Sequence, residues 1–341
     1  MSHHLRIVDP CAPRAYSDLA NLHRLGGTEA TLLRIARALS GEMEVTVEQA
    51  ARRTAEISGD IRFLPMDLAK ATGGTILVIN SWKVALICRR HNPQARILVW
   101  QHVVPGQHQR KMVGDLADAG IEIVCVSHAL GGILRRVEGG QRLAISVVAN
   151  PIADDLHPDG TPRDPDLLFF ASSPHKGLDQ VAAAFATLRA AMPTLRLEVA
   201  DPGYLNWGTD AMPEGVTMLG TLSQAAVIEK MRQSLCLFYP QTRFAETFGL
   251  VIAEANAVGC PVLVHRGLGA NDEVASDPGQ CIDGSDARMI EARIADWRRT
   301  PPAVTLDPQF RFSSVMAGWR RVLSAPAGIR HARRSEVYHV A

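Results

Sequence analysis

Short apolar runs alternate with segments of helical periodicity along the whole chain. In the first half, the segment 29–41 repeats its apolar residues at helical spacing and stops at Gly41, which predicts an α-helix. The apolar runs around it predict β-strands at 5–10, 44–49, 75–80, 96–102, 121–127 and 144–150. Several of these runs are continuously apolar, as expected of parallel strands that are buried on both faces. The pattern therefore predicts an α/β domain over residues 1–150.

The second half repeats the alternation of strands and helices after a segment rich in proline and aspartate, 151–166, which predicts an interdomain linker. Strands are predicted at 167–172, 195–201, 216–220, 236–240 and 261–265, and helices at 178–191, 223–233, 248–258 and 286–298. This order predicts a second Rossmann-like, doubly wound domain over 167–310 that faces the first across a cleft. A last amphipathic helix, 311–324, is expected to pack back on the first domain, and the tail 325–341 is expected to be mobile.

Composition and charge narrow the class of protein. The chain has 341 residues, more than one hydrophobic core usually supports, which agrees with two domains. Its net charge of +1 argues against a nucleic-acid partner. The six cysteines show no CxxC spacing, and we find neither a signal peptide nor an apolar run of the ~20 residues that cross a bilayer. We therefore expect a cytoplasmic protein, either free or peripheral at the inner face of the cytoplasmic membrane.

The most informative stretch is FAETFGLVIAEANAVGCPVLV, residues 244–264, which contains two glutamates eight positions apart. Glu246 lies in the loop after a predicted strand, and ligands of open α/β sheets bind at that end of the strands. Gly249 allows the backbone to approach a ligand closely, and a helix start favours an anion. The carboxylate of a buried glutamate accepts hydrogen bonds from hydroxyl groups. The stretch therefore predicts a binding site for an anionic ligand that carries hydroxyl groups.

The same residues carry a resemblance to a known family. The pattern E-x7-E followed by AxAxGxPVL resembles the retaining GT-B glycosyltransferases of the large GT4 family (glycosyl transferases group 1), which transfer sugars from nucleotide-sugar donors. The likeness extends to RLGGTEATLLRIARAL (24–39), CVSHALGGIL (125–134), VVANPIA (147–153) and SSPHKGLDQVAAAF (172–185). The resemblance implies an α/β fold of the GT-B type, with an acceptor-binding first domain and a donor-binding second domain.

For the second domain, the resemblance implies a role for each residue that matches the motif. Glu254 would hold the ribose of the donor nucleotide, and Glu246 would contact hydroxyl groups of the transferred sugar. The backbone of Phe248, Gly249 and Leu250 would face the sugar and the diphosphate. Lys176 would neutralise the diphosphate as the leaving group develops charge.

For the first domain, the resemblance implies that the loop at Gly27 lets the phosphates approach and that His102 lies near the reacting sugar. Glu246, His102 and Lys176 are thus the candidate catalytic residues. Two departures from the family pattern concern the site. Family members usually carry an arginine several residues before the lysine, whereas FFASSPHK has none, so that either His175 or Arg243 replaces it or the diphosphate binds more weakly. An aspartate often follows the family histidine, whereas HVV stands here.

The implied reaction is a retaining, metal-independent transfer without a cofactor. The donor would be a UDP- or GDP-sugar, and the acceptor a hydroxyl group of a glycan or of a lipid-linked molecule in the synthesis of surface polysaccharide or lipopolysaccharide. Two alternatives stay open: a nucleotide-sugar-binding protein without turnover, and a sugar-nucleotide epimerase on the same fold.

Two further motifs, a formal metal-binding motif and a glycine-rich loop, are not interpreted as functional sites of those kinds. The sequence Asp164-Pro165-Asp166 is formally a D-x-D metal motif, but it lies before a predicted strand, and we interpret it as solvated. The loop Gly267-Leu268-Gly269 follows a strand but lacks the third glycine and the apolar helix of a dinucleotide fingerprint. The resemblance places this loop near the donor instead.

Overall fold

The computed structural model describes residues 4–22, 25–71, 73–106, 108–201 and 212–325. These residues form two sheets with helices packed around them, which confirms the predicted α/β architecture. The predicted mobile tail lies, except for its first residue, outside the described residues. None of the described helices combines the length and the apolar character that crossing a bilayer requires.

The first sheet is parallel except at one edge. Its strand order is β3-β4-β2-β1-β5-β6-β7-β8, and only β3 pairs antiparallel with its neighbour. The strands are β1 (His4–Asp9), β2 (Glu44–Gln49), β3 (Glu56–Ser58), β4 (Ile61–Pro65), β5 (Thr75–Ile79), β6 (Arg96–Gln101), β7 (Glu122–Cys125) and β8 (Ile145–Val147). The edge hairpin of β3 and β4 was not predicted, because neither strand has the continuous apolar run that marks the central strands.

The second sheet has the strand order β11-β10-β9-β12-β13-β14, and all its pairs are parallel. Its strands are β9 (Asp164–Ala171), β10 (Arg196–Ala200), β11 (Val216–Gly220), β12 (Ser234–Tyr239), β13 (Val262–His265) and β14 (Cys281–Ile282). Strand β9 begins inside the segment predicted as the linker. Asp164 and Asp166 are therefore not simply solvated: Asp164 pairs with Arg196, and Asp166 pairs with Arg298 at 2.5 Å.

The helices predicted over 29–41, 178–191, 223–233, 286–298 and 311–324 begin and end close to those positions, whereas four further helices of the described residues were not predicted. The helices are α1 (Gly27–Ser40), α2 (Trp82–His91), α3 (Gln109–Asp118), α4 (His128–Arg136), α5 (Leu178–Ala191), α6 (Gln224–Gln233), α7 (Leu250–Ala257), α8 (Asn271–Val274), α9 (Ala287–Arg299) and α10 (Phe312–Ser324). At three helix starts the hydroxyl groups of Ser81, Ser127 and Ser223 each accept a hydrogen bond from a backbone amide of the first turn, and of these starts the one at Ser223 was predicted.

One predicted helix start was wrong. Helix α7 begins at Leu250 instead of residue 248, because Gly249 has a left-handed backbone (φ 88°) and occupies the N-cap position. Thr247 and Phe248 therefore belong to the loop that precedes the helix. This places the first free amides of α7 two residues later than the apolar pattern indicated.

The topology brings two crevices face to face. In each sheet the strand order reverses beside the first strand, between β1 and β5 and between β9 and β12. A sheet of this kind opens a crevice at the carboxyl ends of the strands at such a reversal. The loop before α1 leaves the first crevice, and the loops around Lys176 and Glu246 leave the second. The cleft between the domains is where these loops meet.

Helix α10 packs on the first domain after the chain has completed the second. Its Trp319 is fully buried, with its ring centroid 4.6 Å from that of Trp100 on β6. Arg96 donates hydrogen bonds to the carbonyl oxygens of Val322 and Ala325 at 2.6 and 2.9 Å, which satisfies the end of the helix. The chain thus crosses between the domains twice.

Candidate active site

A buried ion pair lies at the centre of the second domain's crevice. The Lys176 ammonium donates to both carboxylate oxygens of Glu246, at 2.9 and 3.0 Å, and the Tyr239 hydroxyl donates to the same carboxylate at 3.1 Å. Glu246 is 6% exposed. The Lys176 nitrogen also lies 4.7 Å from the centre of the Phe244 ring. Because two donor groups make three hydrogen bonds to one carboxylate, Glu246 is held in a fixed orientation as a hydrogen-bond acceptor.

Two glycines make this arrangement possible. Gly177 follows Lys176 with a left-handed backbone (φ 94°), and a Cβ atom there would lie 2.8 Å from the Cβ atom of Gln241. Gly269 is also left-handed (φ 61°), and a Cβ atom there would collide with the backbone of Glu246. The Gly267-Leu268-Gly269 loop therefore packs against the backbone of Glu246, and the amide of Ala270 donates to the Glu246 carbonyl at 2.8 Å. The loop thus lies beside Glu246, the residue predicted to contact the sugar of the donor.

The second glutamate lies one turn into α7. Burial raises the pKa of Glu254, while the nearby charge of Arg34 and a hydrogen bond from Gln224 act in the opposite direction. Arg34 belongs to α1 of the first domain, and Gln224 is the first residue of α6. Glu254 therefore faces the cleft with one partner on each side of it.

The starts of α1 and α7 approach each other across the cleft. A Cβ atom at Gly27 would lie 3.1 Å from the side chain of Leu250, so this position has room for little more than glycine. At the second helix, the carbonyl of Gly249 accepts from the amides of Ile252 and Ala253 at 3.0 and 3.2 Å, which leaves the amides of Leu250 and Val251 pointing outward from the first turn. The backbone here offers free donors to an anion.

His102 lies at the end of β6 and is 7% exposed. Burial lowers the pKa of His102 to about 3, so the ring is neutral at physiological pH. Its backbone amide donates to the Asn80 side chain at 2.6 Å, and its carbonyl accepts from the Thr247 hydroxyl at 2.6 Å. The second bond joins the two domains. The peptide of His102 is thus fixed from both sides of the cleft.

Of the buried polar atoms that have no partner among the described residues, two belong to first-domain residues that line the cleft. They are Nε2 of His102 and Oδ1 of Asn150. A buried acceptor without a hydrogen bond costs about 1–3 kcal/mol, so such atoms are normally satisfied by water or by a ligand. The first domain therefore offers hydrogen-bonding atoms to whatever occupies the cleft.

The cleft encloses about 650 Å³ and is lined by both domains. The candidate residues on its first wall are Gly27, Arg34, His102 and Asn150. Those on its second wall are Lys176, Glu246, Phe248, Gly249, Leu250 and Glu254. All the residues predicted from the sequence motifs thus lie in one cavity. In the described part of the chain, no cluster of three or more potential metal ligands occurs.

The two residues proposed as replacements for the family arginine lie elsewhere. His175 is exposed and stacks edge-on against Phe244 at 5.7 Å, and Arg243 pairs with Asp179 at 2.7 Å. Neither lines the cleft. The basic residue that does line it, besides Lys176, is Arg34. Sequence reasoning missed Arg34, although it follows Gly27 by two helical turns and so lies on the same face of α1.

The fold of this chain is similar to that of solved glycosyltransferases and related synthases. A solved alpha,alpha-trehalose-phosphate synthase (UDP-forming) from Burkholderia xenovorans, in complex with glucose-6-phosphate, is similar with a TM-score of 0.64 at 11% identity, over 94% of this chain and 100% of that one. A solved glycosyltransferase from Rickettsia africae gives a TM-score of 0.62 at 11% identity, over 94% and 98% of the two chains. The fold is GT-B.

The match to a family model lies in the second half of this chain. Residues 160–304 match the family model named Glycosyl transferases group 1. A curated relative, the phosphatidyl-myo-inositol mannosyltransferase of Propionibacterium freudenreichii, is 33% identical over 106 residues. The match covers 31% of this chain and about a quarter (26%) of that protein. The part of the chain that matches the family model therefore contains Lys176, Glu246 and Glu254.

Proposed function

We propose that this chain is a retaining glycosyltransferase that moves a sugar from a nucleoside-diphosphate sugar to a hydroxyl group of an acceptor. The observation that carries the proposal is the Lys176–Glu246 pair beside the free amides of α7, all facing the first domain across one cleft. The group 1 match over residues 160–304 and the GT-B fold support the same reaction class.

Each wall of the cleft has a part in this reaction. Glu254 accepts hydrogen bonds from the ribose hydroxyls, and Glu246 accepts from hydroxyls of the sugar. As the bond between the anomeric carbon and the leaving oxygen breaks, negative charge grows on the diphosphate, where Lys176 and the amides of Leu250 and Val251 stabilise it. The acceptor hydroxyl attacks the face that the leaving group vacates, and its proton passes to a leaving-group oxygen.

The first domain supplies a neutral, fixed wall for the acceptor and the sugar. A histidine with a pKa of about 3 does not gain a proton during the reaction, so His102 acts as a hydrogen-bond partner of the sugar and not as an acid. No cofactor or metal takes part in this scheme, and chelation of divalent cations should leave the rate unchanged. We expect the enzyme to work in the cytoplasm and, where its acceptor is lipid-linked, at the membrane surface.

UDP- and GDP-sugars are both candidates for the donor. The named relatives suggest two acceptors to include, phosphatidylinositol in detergent micelles and glucose 6-phosphate. A panel of UDP-, GDP- and ADP-sugars is therefore tested with each acceptor and with none.

The expected result is release of nucleoside diphosphate that depends on the acceptor and gives a product of retained anomeric configuration. Glu246→Gln should lower this rate at least ~100-fold while nucleoside-diphosphate binding persists, because the fixed acceptor for the sugar hydroxyls is lost. Glu291→Gln, on the exposed face of α9, is the matched control with the same change of charge. Binding without turnover would indicate a non-catalytic binding protein, and inversion of the sugar without any acceptor would indicate an epimerase.

A further inference from the structure

The cleft is poor in positive charge for a site that binds a diphosphate. Among the described residues that line it, the permanent cations are Lys176 and Arg34, whereas the carboxylates are Asp201, Glu246 and Glu254. Lys176 already has both oxygens of the Glu246 carboxylate within 3.0 Å. A diphosphate that enters this cleft therefore needs a second cation to offset the acids.

Arg34 is placed to be that cation, although it belongs to the other domain. It lies on α1 two turns after Gly27, and Gly27 approaches Leu250 at the start of α7. The Cα–Cβ bonds of a helix tilt toward its N-terminus, so the side chain of Arg34 is directed back toward this contact. Arg34 is close enough to Glu254 to influence that carboxylate electrostatically. Its position is thus between the predicted ribose site and the start of α7.

The guanidinium of Arg34 is also available. Arg34 is half-buried, and within the described ranges no residue gives it a hydrogen bond or an ion pair. Other arginine side chains are engaged in ion pairs, for example Arg243 with Asp179 and Arg96 with Glu122, both at 2.7 Å. A half-buried guanidinium that has five donors and makes no hydrogen bond or ion pair within the described residues is well suited to bidentate binding of phosphate.

We propose that Arg34 binds the phosphate groups of the donor from the first domain and so supplies the second cation of the site. This deepens the proposed function and rests on it. Lys176 and Arg34 then hold the diphosphate from opposite domains, and binding of the diphosphate favours the closed cleft. A ligand without phosphates makes no use of Arg34.

The test compares ligands that differ only in their phosphates. Binding of uridine, UMP and UDP, and of guanosine, GMP and GDP, is measured by titration calorimetry for the wild type, Arg34→Gln, Arg34→Lys and Arg37→Gln. Arg37 is the matched control, because it lies three residues further along the same helix, is exposed and does not line the cleft. The series whose diphosphate binds to the wild type is used for the comparison.

Arg34→Gln should weaken binding of the diphosphate about 10- to 100-fold, as expected for loss of charge-assisted hydrogen bonds, weaken the monophosphate less and leave the nucleoside unchanged. Arg34→Lys should retain much of the affinity because it keeps the charge, and Arg37→Gln should bind like the wild type. Equal losses for the nucleoside and its diphosphate, or no loss at all, would overturn the inference. If the wild type binds neither diphosphate, the proposed function itself fails, so the two failures are distinct.

Discussion

Glu254 is a half-buried acid that lines the cleft. Burial raises its pKa, so the folded protein binds a proton there more tightly than the unfolded chain does. Stability from this group is therefore fully present below its usual value of 4.5 and is lost as the pH rises through the raised pKa of the folded state. At neutral pH the ionised carboxylate lowers the stability of the free protein.

We predict that Glu254→Gln raises the Tm of the unliganded protein at pH 7 by roughly 1–3 °C, because the uncharged amide avoids the cost of burying a charge. The difference from the wild type should shrink as the pH falls toward 4.5. The same variant should bind nucleoside diphosphates more weakly, because an amide is a poorer acceptor for ribose hydroxyls than a carboxylate. Thermal melts from pH 4.5 to 8, with and without UDP or GDP, measure both effects. A lower Tm at pH 7 would contradict the assignment.

At the residue scale, the sequence predicted those site residues that lie close together in one short motif. Glu246 and Glu254 could be found because their spacing, Gly249 and the following strand all lie within one short stretch. Arg34 could not be found in that way, because it reaches the site only when α1 and α7 meet across the cleft. Asn150 lies in VVANPIA, one of the motifs that carry the resemblance. Its buried oxygen without a hydrogen-bond partner is visible only in the packed structure.

At the scale of elements, helix α10 illustrates a segment that completes a domain distant from it in sequence. Trp319 and Trp100 are both fully buried against each other. We predict that Trp319→Ala destabilises the protein by about 3–5 kcal/mol, as expected for a large cavity in a packed core. Chemical unfolding followed by circular dichroism measures the loss.

The neighbouring residue supplies the control for this prediction. Arg320 lies on the same helix, but its ion pair with Glu42 is exposed, so Arg320→Ala should change the unfolding midpoint little. If Trp319→Ala unfolded at the same denaturant concentration as the wild type, α10 would not stabilise the first domain. Residues 1–150 alone should for the same reason be less stable than the whole chain.

The predicted bounds were right where the pattern of apolar residues determines the element, and wrong where the backbone conformation of a single residue determines it. The strands of both sheet centres were found from their apolar runs, because burial on both faces leaves little room for polar residues. The start of α7 was placed two residues early, because the apolar run continues through Phe248 while Gly249 turns left-handed. Phe248 is instead buried against Phe310, at 5.1 Å between ring centroids.

At the scale of the whole molecule, two polar contacts hold the cleft in its present form. The Thr247 hydroxyl donates to the His102 carbonyl, as described above. On the opposite side, the two oxygens of the Glu273 carboxylate accept from the backbone amides of His128 and Ala129, both at 2.8 Å. Glu273 belongs to α8 of the second domain, and the two amides are the first of α4 in the first domain. A carboxylate of one domain thus caps a helix of the other.

This cap should set the balance between the closed and open cleft. A negative charge at a helix N-terminus contributes about 0.3–1 kcal/mol, or up to ~2 kcal/mol where it is partly buried. Glu273→Gln removes the charge and one acceptor, so we predict that it shifts the equilibrium toward the open form by about 3- to 30-fold, equivalent to roughly 0.7–2 kcal/mol. The radius of gyration of the unliganded protein, measured by small-angle scattering, should therefore increase. UDP or GDP should bind several-fold more weakly, because binding then has to drive closure.

Glu291→Gln again controls for the loss of one surface carboxylate. An unchanged radius of gyration together with unchanged affinity would show that the contact follows closure without stabilising it.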